Sequence, residues 1–378
     1  MYENIDRYIE KLLDGSTPDK PLWNIEKIRH GKPAVWNYID GCIITALLDA
    51  AEITGRKKYF GFAESFIDRY VLEDGSIVGY SPEKYNLDDV NEGRVLFDLY
   101  KATGKEKYRK AAELLRGQLE HQPRTDTGNF WHKNIYPNQI WLDGLYMAQV
   151  FYVRYEQEFG SGDCSDTMDQ IRNVRRLMYD ENKKLYYHGC DCSRTAFWAD
   201  KRTGCSKSFW LRSIGWFTVA LADIIDYIEN DSFKDELIGI FRETIDGIAQ
   251  YADPQTGMYY QVVDQGGRDG NYLETSGSSM IAYAMMKGAR LGALDGKYAE
   301  LGKKTFDGIC EKYLKANDDG ELDLGGICLV AGLGPEDNRR RDGTFEYYIS
   351  EPVVDNDAKG VAPFLLCYTE VMRLADKV

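Results

Sequence analysis

Residues Thr54–Tyr59 read Thr-Gly-Arg-Lys-Lys-Tyr, and the pattern returns at Thr103–Tyr108 as Thr-Gly-Lys-Glu-Lys-Tyr. In both copies an alanine follows four positions after the tyrosine (Ala63 and Ala112), and a fainter copy surrounds Lys297-Tyr298. The first two copies begin at 54 and 103, a spacing of 49 residues that suits one helical hairpin. Repetition at this period indicates hairpins arranged around a toroid or along a solenoid.

Apolar residues recur at helical spacing along much of the chain. One such face carries Tyr108, Ala112, Leu115 and Leu119. Another carries Phe233, Leu237, Ile240, Phe241, Ile245 and Ile248. Runs that alternate with period two are scarce, and the two candidate strands, Tyr259–Val263 and Phe345–Ile349, are short.

Several helical runs begin beside a polar residue, with starts near Gly41, Asp89, Gly144, Ser213, Ser278 and Ala358. More polar runs alternate with them, near 2–14, 57–71, 105–120, 165–178, 233–251 and 296–315. Six inner helices alternating with six outer ones predict an all-α fold, the (α/α)6 barrel or six-hairpin toroid, with residues 1–378 as a single domain. Successive inner helices would run parallel, so their N-terminal ends would meet at one mouth. Capping explains Asp and Ser at such starts, but it does not explain Arg212 or the neighbouring tryptophans.

Composition narrows the class of function. The formal net charge of -14 argues against nucleic acid and anionic membrane surfaces as partners. The segment Met1–Lys20 is polar, and no run approaches the roughly 18 apolar residues of a membrane span. We therefore expect a cytoplasmic protein with eight free thiols: Cys42, Cys164, Cys190, Cys192, Cys205, Cys310, Cys328 and Cys367. The aromatic share of 13% suits a sugar pocket as well as a core. The sequence leaves the oligomeric state open.

Three stretches hold most of the chemistry-bearing residues: Phe130–Asp143, His188–Cys192 and Phe209–Trp216. Asp143 lies between Trp141 and Met147, so its carboxyl group should be poorly solvated, which raises its pKa. A nearby ionised Asp88 would raise the pKa further, whereas a helix N-terminus favours the anion. We expect burial and the like charge to prevail, leaving Asp143 protonated near neutral pH.

Two other interpretations of short sequence segments carry less weight. His188 with Cys190, Cys192 and Cys205 could form a zinc site, but Cys-x-Cys is not the usual spacing of structural zinc. Gln265–Arg268 lacks the Walker pattern and is interpreted as a turn. No Gly-x-Ser-x-Gly nucleophile elbow occurs. We expect neither a metal nor a cofactor.

At these stretches the chain resembles the unsaturated rhamnogalacturonyl hydrolases, glycoside hydrolase family 105, and more distantly the unsaturated glucuronyl hydrolases, family 88. The resemblance runs over nearly the whole chain. It is carried by Trp36-Asn37-Tyr38, Leu87-Asp88 with Asn91 and Gly93-Arg94, Ile140–Met147, Trp210-x-Arg212-x-x-Gly215-Trp216, Glu274–Ser278 and Asp357-x-Lys359-Gly360. It implies an (α/α)6 barrel that acts on small oligosaccharides ending in a 4,5-unsaturated uronic acid.

The resemblance also implies a reaction in which Asp143 protonates C4 of the C4=C5 enol ether and then activates the water that adds at C5. Asp88 would tune Asp143 and hold ring hydroxyls, and Arg212 would hold the uronate carboxylate. The other expected substrate-binding residues are Trp36, Lys133, Trp141, Met147, His188, Trp210 and Trp216. The Cys-rich stretch His188–Cys192 and the residues from Leu211 to Ile214 depart from the family pattern. These departures affect the expected subsite preference more than the expected reaction.

Four alternatives stay open. The enzyme could be an unsaturated glucuronyl hydrolase with an aglycone other than rhamnose, or a conventional two-carboxylate glycosidase. It could be a sugar epimerase, although toroid epimerases use paired histidines and this chain has four in all: His30, His121, His132 and His188. It could also be a non-catalytic carbohydrate-binding toroid, although pure binding gains little from a buried carboxyl group.

Overall fold

A computed structural model describes residues 2–375; Met1 and residues 376–378 of the predicted domain lie outside the described residues. Its α-helices, in chain order, are α1 Tyr2–Asp14, α2 Ile25–Arg29, α3 Tyr38–Thr54, α4 Lys57–Asp68, α5 Leu87–Asn91, α6 Val95–Thr103, α7 Glu106–His121, α8 Leu142–Gly144, α9 Val150–Glu158, α10 Ser165–Met178, α11 Leu211–Tyr227, α12 Asp231–Ala249, α13 Thr275–Arg290, α14 Lys297–Tyr313, α15 Phe345–Ile349 and α16 Ala358–Ala375. Short 3-10 helices occupy Pro82–Lys84, Glu92–Arg94 and Val263–Gln265, and a π-helical turn occupies Leu145–Gln149.

The strands are short and form antiparallel two-stranded sheets, in which β1 pairs with β4, β2 with β3, β5 with β6 and β7 with β8. Their bounds are β1 Gln139–Trp141, β2 Tyr179–Asp180, β3 Leu185–Tyr186, β4 Gly189–Asp191, β5 Leu314–Ala316, β6 Leu322–Leu324, β7 Ile327–Cys328 and β8 Val353–Val354.

The inner helices form a closed ring. They are α3, α5 with α6, α8 with α9, α11, α13 and α16, and the ring closes where α16 packs against α3. Outer helices pack behind them, as α4 does on α3, α7 on α6, α12 on α11 and α14 on α13. The predicted all-α (α/α)6 barrel is therefore confirmed. Within residues 2–375, no helix is long and apolar enough to cross a membrane.

The repeated Thr-Gly pattern marks the turn between an inner helix and the next outer one. Gly55 and Gly104 end α3 and α6 in the left-handed conformation, with φ of 66° and 68°. A glycine adopts this conformation without the steric cost that a Cβ would add. The tyrosines that follow, Tyr59 and Tyr108, are fully buried in the first turn of α4 and of α7. The repeat thus encodes a helix stop and an anchor for the next helix.

Both candidate strands were wrong. Phe345–Ile349 is helix α15, because the Thr344 hydroxyl accepts from the backbone N–H of Tyr347 at 3.2 Å and starts a helical turn. Tyr259–Val263 makes isolated bridges, Tyr260 to Leu273 and Trp210 to Val262, without extending into a strand. In both segments the alternation reflects aromatic residues buried against neighbours on more than one side.

Several inner helices begin slightly earlier than predicted, which changes the position of the key polar residues. Asp88, Asp143 and Arg212 are each the second residue of their helices, α5, α8 and α11. Side chains in a helix tilt toward its N-terminus, so these three point to the mouth of the barrel. Capping of α5 falls to Asn86, whose side chain accepts from the N–H of Asp88 at 3.2 Å. Capping therefore does not account for Asp88.

Candidate active site

The pairing of β1 with β4 brings His188 to Asp143. The register places Trp141 opposite Gly189, and the N–H of Leu142 donates to the carbonyl of His188 at 3.0 Å. His188, just before β4, and Asp143, two residues after Trp141, then meet, with His188 Nε2 3.2 Å from Asp143 Oδ2. Both side chains are buried, His188 completely and Asp143 to 9% exposure. A carboxylate and an imidazole thus face each other in a nearly dry environment.

Aromatic residues from three segments surround His188. Its Nδ1 lies 2.6 Å from the hydroxyl of Tyr348 in α15. The ring of Trp210 lies 4.7 Å from the imidazole, and Trp141 meets it edge-on at 5.5 Å. Trp210 also stacks on Tyr348 at 5.7 Å. These contacts hold the imidazole in one orientation toward Asp143.

Asp88 is held by cationic and aromatic neighbours. Lys133 Nζ lies 2.5 Å from Asp88 Oδ2, and His132 Nε2 lies 3.6 Å from Asp88 Oδ1. The chain brings them together through a bridge between Asn86 and Lys133. An ammonium group so close cancels most of the electrostatic effect that the Asp88 carboxylate would have on neighbouring groups.

The imidazole of His132 and the ring of Tyr136 both stack on Trp141, at 4.5 Å and 4.6 Å. Met147 is buried in the π-helical turn that follows Asp143. Such turns are rare and often lie at functional sites. The predicted wall of the pocket, Trp141 with Met147, therefore belongs to the same short segment as Asp143.

The electrostatics of Asp143 differ from the expectation. Burial alone would raise the pKa of Asp143, but the charge of His188, together with the charge of His132, outweighs burial and lowers it. Burial lowers the pKa of His132 to about 4, although the carboxylates of Asp88 and Asp143 oppose this. The expected rise of the Asp143 pKa is thus wrong, because the group facing Asp143 is a histidine and because Lys133 offsets the charge of Asp88.

Arg212, the predicted ligand of the uronate carboxylate, already has partners within the protein. Its side chain is 1% exposed, its Nε donates to Ser276 Oγ at 2.7 Å, and its Nη2 donates to the carbonyl of Cys328. Glu274 Oε1 lies 3.6 Å from the same Nη2. These bonds join α11, α13 and β7, so Arg212 stabilises the mouth from within, and a substrate carboxylate would have to displace them.

Two of the predicted tryptophans pack within the barrel wall. Trp36 donates through Nε1 to the carbonyl of Asp89 at 2.7 Å and meets Tyr70 edge-on at 6.3 Å. Trp216 stacks on Tyr146 at 4.4 Å and meets Tyr38 edge-on. Trp36 thus joins the segment before α3 to α5, whereas the predicted Trp141 and Trp210 contact His188.

Some of the buried polar atoms that lack a hydrogen-bonding partner in the described chain lie at Asp143 and its neighbours. They include Asp143 Oδ2, His188 Nε2, His132 Nδ1 and Trp210 Nε1. Because native proteins pair almost all buried polar groups, such a concentration is typical of a ligand site. Asp143 Oδ2 and His188 Nε2 lie 3.2 Å apart but are not aligned for a hydrogen bond. The pair is therefore a charge contact, and both atoms remain available to a ligand.

The cysteines next to His188 belong to a different cluster. His188 faces Asp143 and Tyr348, whereas Cys190 lies near Cys192 and Cys205, whose thiols raise its pKa. Among the residues that the structure describes, no three His, Cys, Asp or Glu side chains are arranged to hold a metal ion. The zinc interpretation has no support in this geometry.

Sequence reasoning missed three residues of this region. His132 stood within a stretch that was singled out, so its aromatic neighbours could have identified it. Tyr348 lies 160 residues from His188 in the chain, and its local sequence gives no signal. Arg341 is half-buried, and its guanidinium lies near the ring of Trp141. Both groups border Gly332, where an added Cβ would lie 3.2 Å from Arg341 Nη1 and 3.4 Å from the Trp141 ring.

The chain matches known proteins over most of its length. The family model for Glycosyl Hydrolase Family 88 matches residues 15–375. A 24.9 kDa protein in the picA locus of Rhizobium radiobacter is 39% identical over 234 residues, which cover 61% of this chain and 100% of that protein. The unsaturated rhamnogalacturonyl hydrolase YesR of Bacillus subtilis (strain 168) is 27% identical over 266 residues, covering 68% of this chain and 72% of YesR.

A solved structure shows the same relationship. The glycoside hydrolase from family 105 of C. acetobutylicum ATCC 824 is 42% identical, with a TM-score of 0.88 and coverage of 97% of both chains. The resemblance drawn from the motifs is thereby confirmed. The chain belongs to the group formed by Glycosyl Hydrolase Family 88 and the related family 105, and it is a glycoside hydrolase.

Proposed function

We propose that this hydrolase releases a 4,5-unsaturated uronic acid, derived from galacturonate, from the non-reducing end of short oligosaccharides. The named activity of YesR supports a rhamnose-linked substrate of the kind that pectin lyases leave behind. We further propose a cytoplasmic location, which the eight free cysteines support.

One observation carries the proposed chemistry. A conventional glycosidase needs two carboxyl groups, one as acid and one as base or nucleophile. Here Lys133 holds Asp88 at 2.5 Å and His132 flanks it, which leaves Asp143 as the carboxyl group that is available for proton transfer. Hydration of an enol ether needs one such group, because the same carboxylate that loses a proton to carbon can then accept one from water.

In the proposed mechanism Asp143 donates a proton to C4, and positive charge develops at C5 and the ring oxygen. Water then adds at C5 and loses its proton to Asp143. The resulting hemiketal opens, and the anomeric carbon releases the aglycone. His188 faces Asp143 at 3.2 Å, so it stabilises the carboxylate between the two proton transfers, and Tyr348 keeps the imidazole in place.

Because the pKa of Asp143 is lowered, the free enzyme holds little of the protonated form that must donate to C4. We propose that substrate binding produces this protonated form. The sugar ring that covers Asp143 removes the remaining water from its carboxyl group, and desolvation raises the pKa of a carboxyl group. The free enzyme would hold the anion, and the enzyme–substrate complex would hold the acid. Binding of the correct substrate then produces the proton donor.

We assign the uronate carboxylate to Arg341 in place of Arg212. Arg341 lies near Trp141 at the mouth, and its positive charge acts on Glu26 and on Tyr347. Its guanidinium forms no hydrogen bond or ion pair with any other residue that the structure describes. A guanidinium with unused donors suits a planar carboxylate.

The reaction is tested by the ultraviolet absorbance of an unsaturated galacturonyl-rhamnose disaccharide, which disappears when the double bond is hydrated. We expect the Asp143→Asn variant to lose about 10²- to 10⁴-fold in kcat, the usual contribution of a general acid and base. Asp88→Asn should fold normally and lose less, because Asp88 does not transfer the proton. Full activity of Asp143→Asn would disprove the mechanism.

The same assay with other substrates separates the alternatives. Turnover of saturated uronides would indicate a conventional glycosidase, and binding without turnover would indicate a carbohydrate-binding toroid. A panel of unsaturated glucuronyl and galacturonyl disaccharides with different second sugars would identify the aglycone.

Arg341 is tested by the Arg341→Met variant. We expect KM to rise about 10- to 100-fold, as for the loss of one charge-assisted hydrogen-bonded pair. Arg340→Met is the matched control, since Arg340 is an exposed neighbour that binds Glu351 at 2.8 Å. Equal KM values for the two variants would exclude Arg341 as the carboxylate ligand.

A further inference from the structure

The thiols of Cys190, Cys192 and Cys205 form a cluster that the hydrolytic mechanism does not use. Cys190 lies in β4, and Cys205 is its partner across an isolated antiparallel bridge. The thiols of Cys192 and Cys205 lie near enough to that of Cys190 to raise its pKa, while Cys190 Sγ donates to the carbonyl of Thr203 at 3.8 Å and Cys205 Sγ to the carbonyl of Leu177 at 3.2 Å. Cys190 and Cys205 are buried, whereas Cys192 is half-exposed. One of the three thiols is therefore accessible from outside.

The backbone geometry between Cys190 and Cys205 suits a disulfide. The hydrogen bonds on either side run from Asp191 N to Gly204 O at 2.9 Å and from Ser206 N to Gly189 O at 2.8 Å. Cys190 and Cys205 are thus a non-hydrogen-bonded pair, in which the Cα atoms of an antiparallel ladder approach to about 4.5 Å. This distance lies within the range of about 4.4–6.8 Å that disulfides span.

Gly204, the residue before Cys205, places no side chain against the thiol of Cys190. Gly204 has a φ of 83°, and a Cβ there would lie 3.2 Å from Cys190 Sγ. The left-handed conformation favours glycine, so this space stays open. A Cys190–Cys205 bond requires the two thiols to rotate away from the carbonyls of Thr203 and Leu177, to which they donate.

The cluster adjoins the catalytic residues through β4. His188 precedes the strand, and Gly189 pairs with Trp141 next to Asp143. A covalent link at Cys190 would fasten this strand to the segment at Cys205 and hold the carbonyl of His188, which accepts from Leu142 N at 3.0 Å. The thiol cluster thus borders the active site without contributing to it.

We propose that these cysteines are a peroxide-oxidised site that ends as a Cys190–Cys205 disulfide, with Cys192 as the entry point. In the first step the Cys192 thiolate attacks hydrogen peroxide, an S–O bond forms and the O–O bond breaks. The departing hydroxide takes the proton that the thiol had released and leaves as water. Cys192 is oxidised to a sulfenic acid and the peroxide is reduced.

In the second step the sulfur of Cys190 attacks Cys192, so that an S–S bond forms and the S–O bond breaks. The hydroxide takes the Cys190 proton and leaves as a second water. In the third step the Cys205 thiolate attacks Cys190, and Cys192 departs as a thiolate that takes the Cys205 proton. Two thiols and one peroxide become one disulfide and two waters.

The thiol environments agree with this order. The neighbouring Cys190 thiol lowers the pKa of Cys192 against the effect of burial, with help from the hydroxyls of Thr127 and Thr125. Hydrogen bonding from Cys190 likewise lowers the pKa of Cys205. A lower pKa gives more of the nucleophilic thiolate at neutral pH. The thiolates are therefore favoured at Cys192, which attacks the peroxide, and at Cys205, which closes the final disulfide. The neighbouring thiols Cys192 and Cys205 raise the pKa of Cys190, so Cys190 enters the second step as a thiol and gives its proton to the departing hydroxide.

The test treats the full-length folded protein with one equivalent of hydrogen peroxide. We expect the intact mass to fall by two hydrogens, and a non-reducing digest to contain the Cys190 and Cys205 peptides joined. Cys164→Ser is the control, since Cys164 is buried at the start of α10, and it should behave as the wild type. A disulfide that forms elsewhere first, or no disulfide, would overturn the proposal.

Three further variants identify the steps. Cys205→Ser should stop at a Cys190–Cys192 link, and Cys190→Ser should leave a Cys192 sulfenic acid that dimedone traps. Cys192→Ser should slow oxidation at least about tenfold, because the remaining thiols are buried. An unchanged rate in Cys192→Ser would exclude Cys192 as the entry point. None of these readouts depends on hydrolysis, so they stand apart from the proposed function.

Discussion

Asp143 depends for its acidity on one neighbour. His188 Nε2 lies 3.2 Å from its carboxylate, and the other imidazole nitrogen is held by Tyr348 at 2.6 Å. The charge of His188, the largest influence that lowers the Asp143 pKa, keeps it below its ordinary value although burial opposes this. Removing the charge at position 188 would leave burial as the dominant influence.

This dependence predicts a shift in the pH profile. In the His188→Gln variant the Asp143 pKa should rise, because glutamine can donate a hydrogen bond but carries no charge. Since the acid form of Asp143 is the active one, kcat/KM falls as pH rises through this pKa, and the falling limb should move to higher pH. In the wild type, the falling limb of kcat should lie at higher pH than that of kcat/KM, because the bound sugar desolvates Asp143 and raises its pKa in the complex.

Tyr348→Phe is the matched control for this experiment. It removes the hydroxyl that holds His188 Nδ1 but keeps the imidazole and its charge. We expect a lower kcat with the pH limb near its wild-type position. A limb in His188→Gln that stays in place, or moves to lower pH, would contradict the role given to His188.

At the scale of elements, short pieces of structure position the site. The π-helical turn Leu145–Gln149 follows Asp143 directly, and β1 and β4 are three residues each. Gly144 lies between Asp143 and this turn and faces His132, whose Nδ1 would be 3.1 Å from a Cβ at that position. A side chain at Gly144 would therefore press on the imidazole that stacks on Trp141.

Gly144→Ala should displace His132 from Trp141 and lower kcat. We expect the free energy of unfolding to fall by about 1–3 kcal/mol, the usual cost of overpacking, as measured by chemical denaturation. Gly239→Ala in α12 is the control, because a Cβ there has no atom within 4 Å. That control should stabilise the protein by about 0.5–1 kcal/mol through helix propensity. If both variants behave alike, the contact between Gly144 and His132 is unimportant.

At the scale of the molecule, the end of the barrel away from the mouth is fastened by charges. Asp223 in α11 binds Arg94 at 2.5 Å, Lys287 at 2.9 Å and the hydroxyl of Tyr283 at 2.9 Å. These groups line a cavity of about 920 Å³, but they are paired with one another. The cavity is thus part of the closure of the ring, and the proposed chemistry lies at the opposite end.

Asp223→Ala should lower the free energy of unfolding by about 3–5 kcal/mol, because it leaves Arg94 and Lys287 buried without their shared partner. Asp226→Ala is the control: Asp226 binds Lys287 at 3.0 Å but is 36% exposed, so we expect about 1 kcal/mol or less. Equal losses would show that burial of the network does not matter. We also expect one cooperative transition, as the prediction of a single domain requires.

The helical hairpins, the closed ring and the position of Asp143 at a helix start could be predicted from the sequence. The reason is physical: helix periodicity, glycine C-caps such as Gly55 and Gly104, and polar residues at helix starts all act within a few residues of chain. The family motifs lie in the same local segments, so they identified the enzyme class as well.

The partners of the charged groups were decided by the tertiary structure alone. Tyr348 reaches His188 across 160 residues, and Arg212 reaches the carbonyl of Cys328 across 116 residues. The pKa of Asp143 and the availability of a guanidinium depend on distances through space in a poorly solvated interior, where charges interact strongly. Local sequence encodes where a helix starts, but it does not encode which charge from a distant segment will lie beside it.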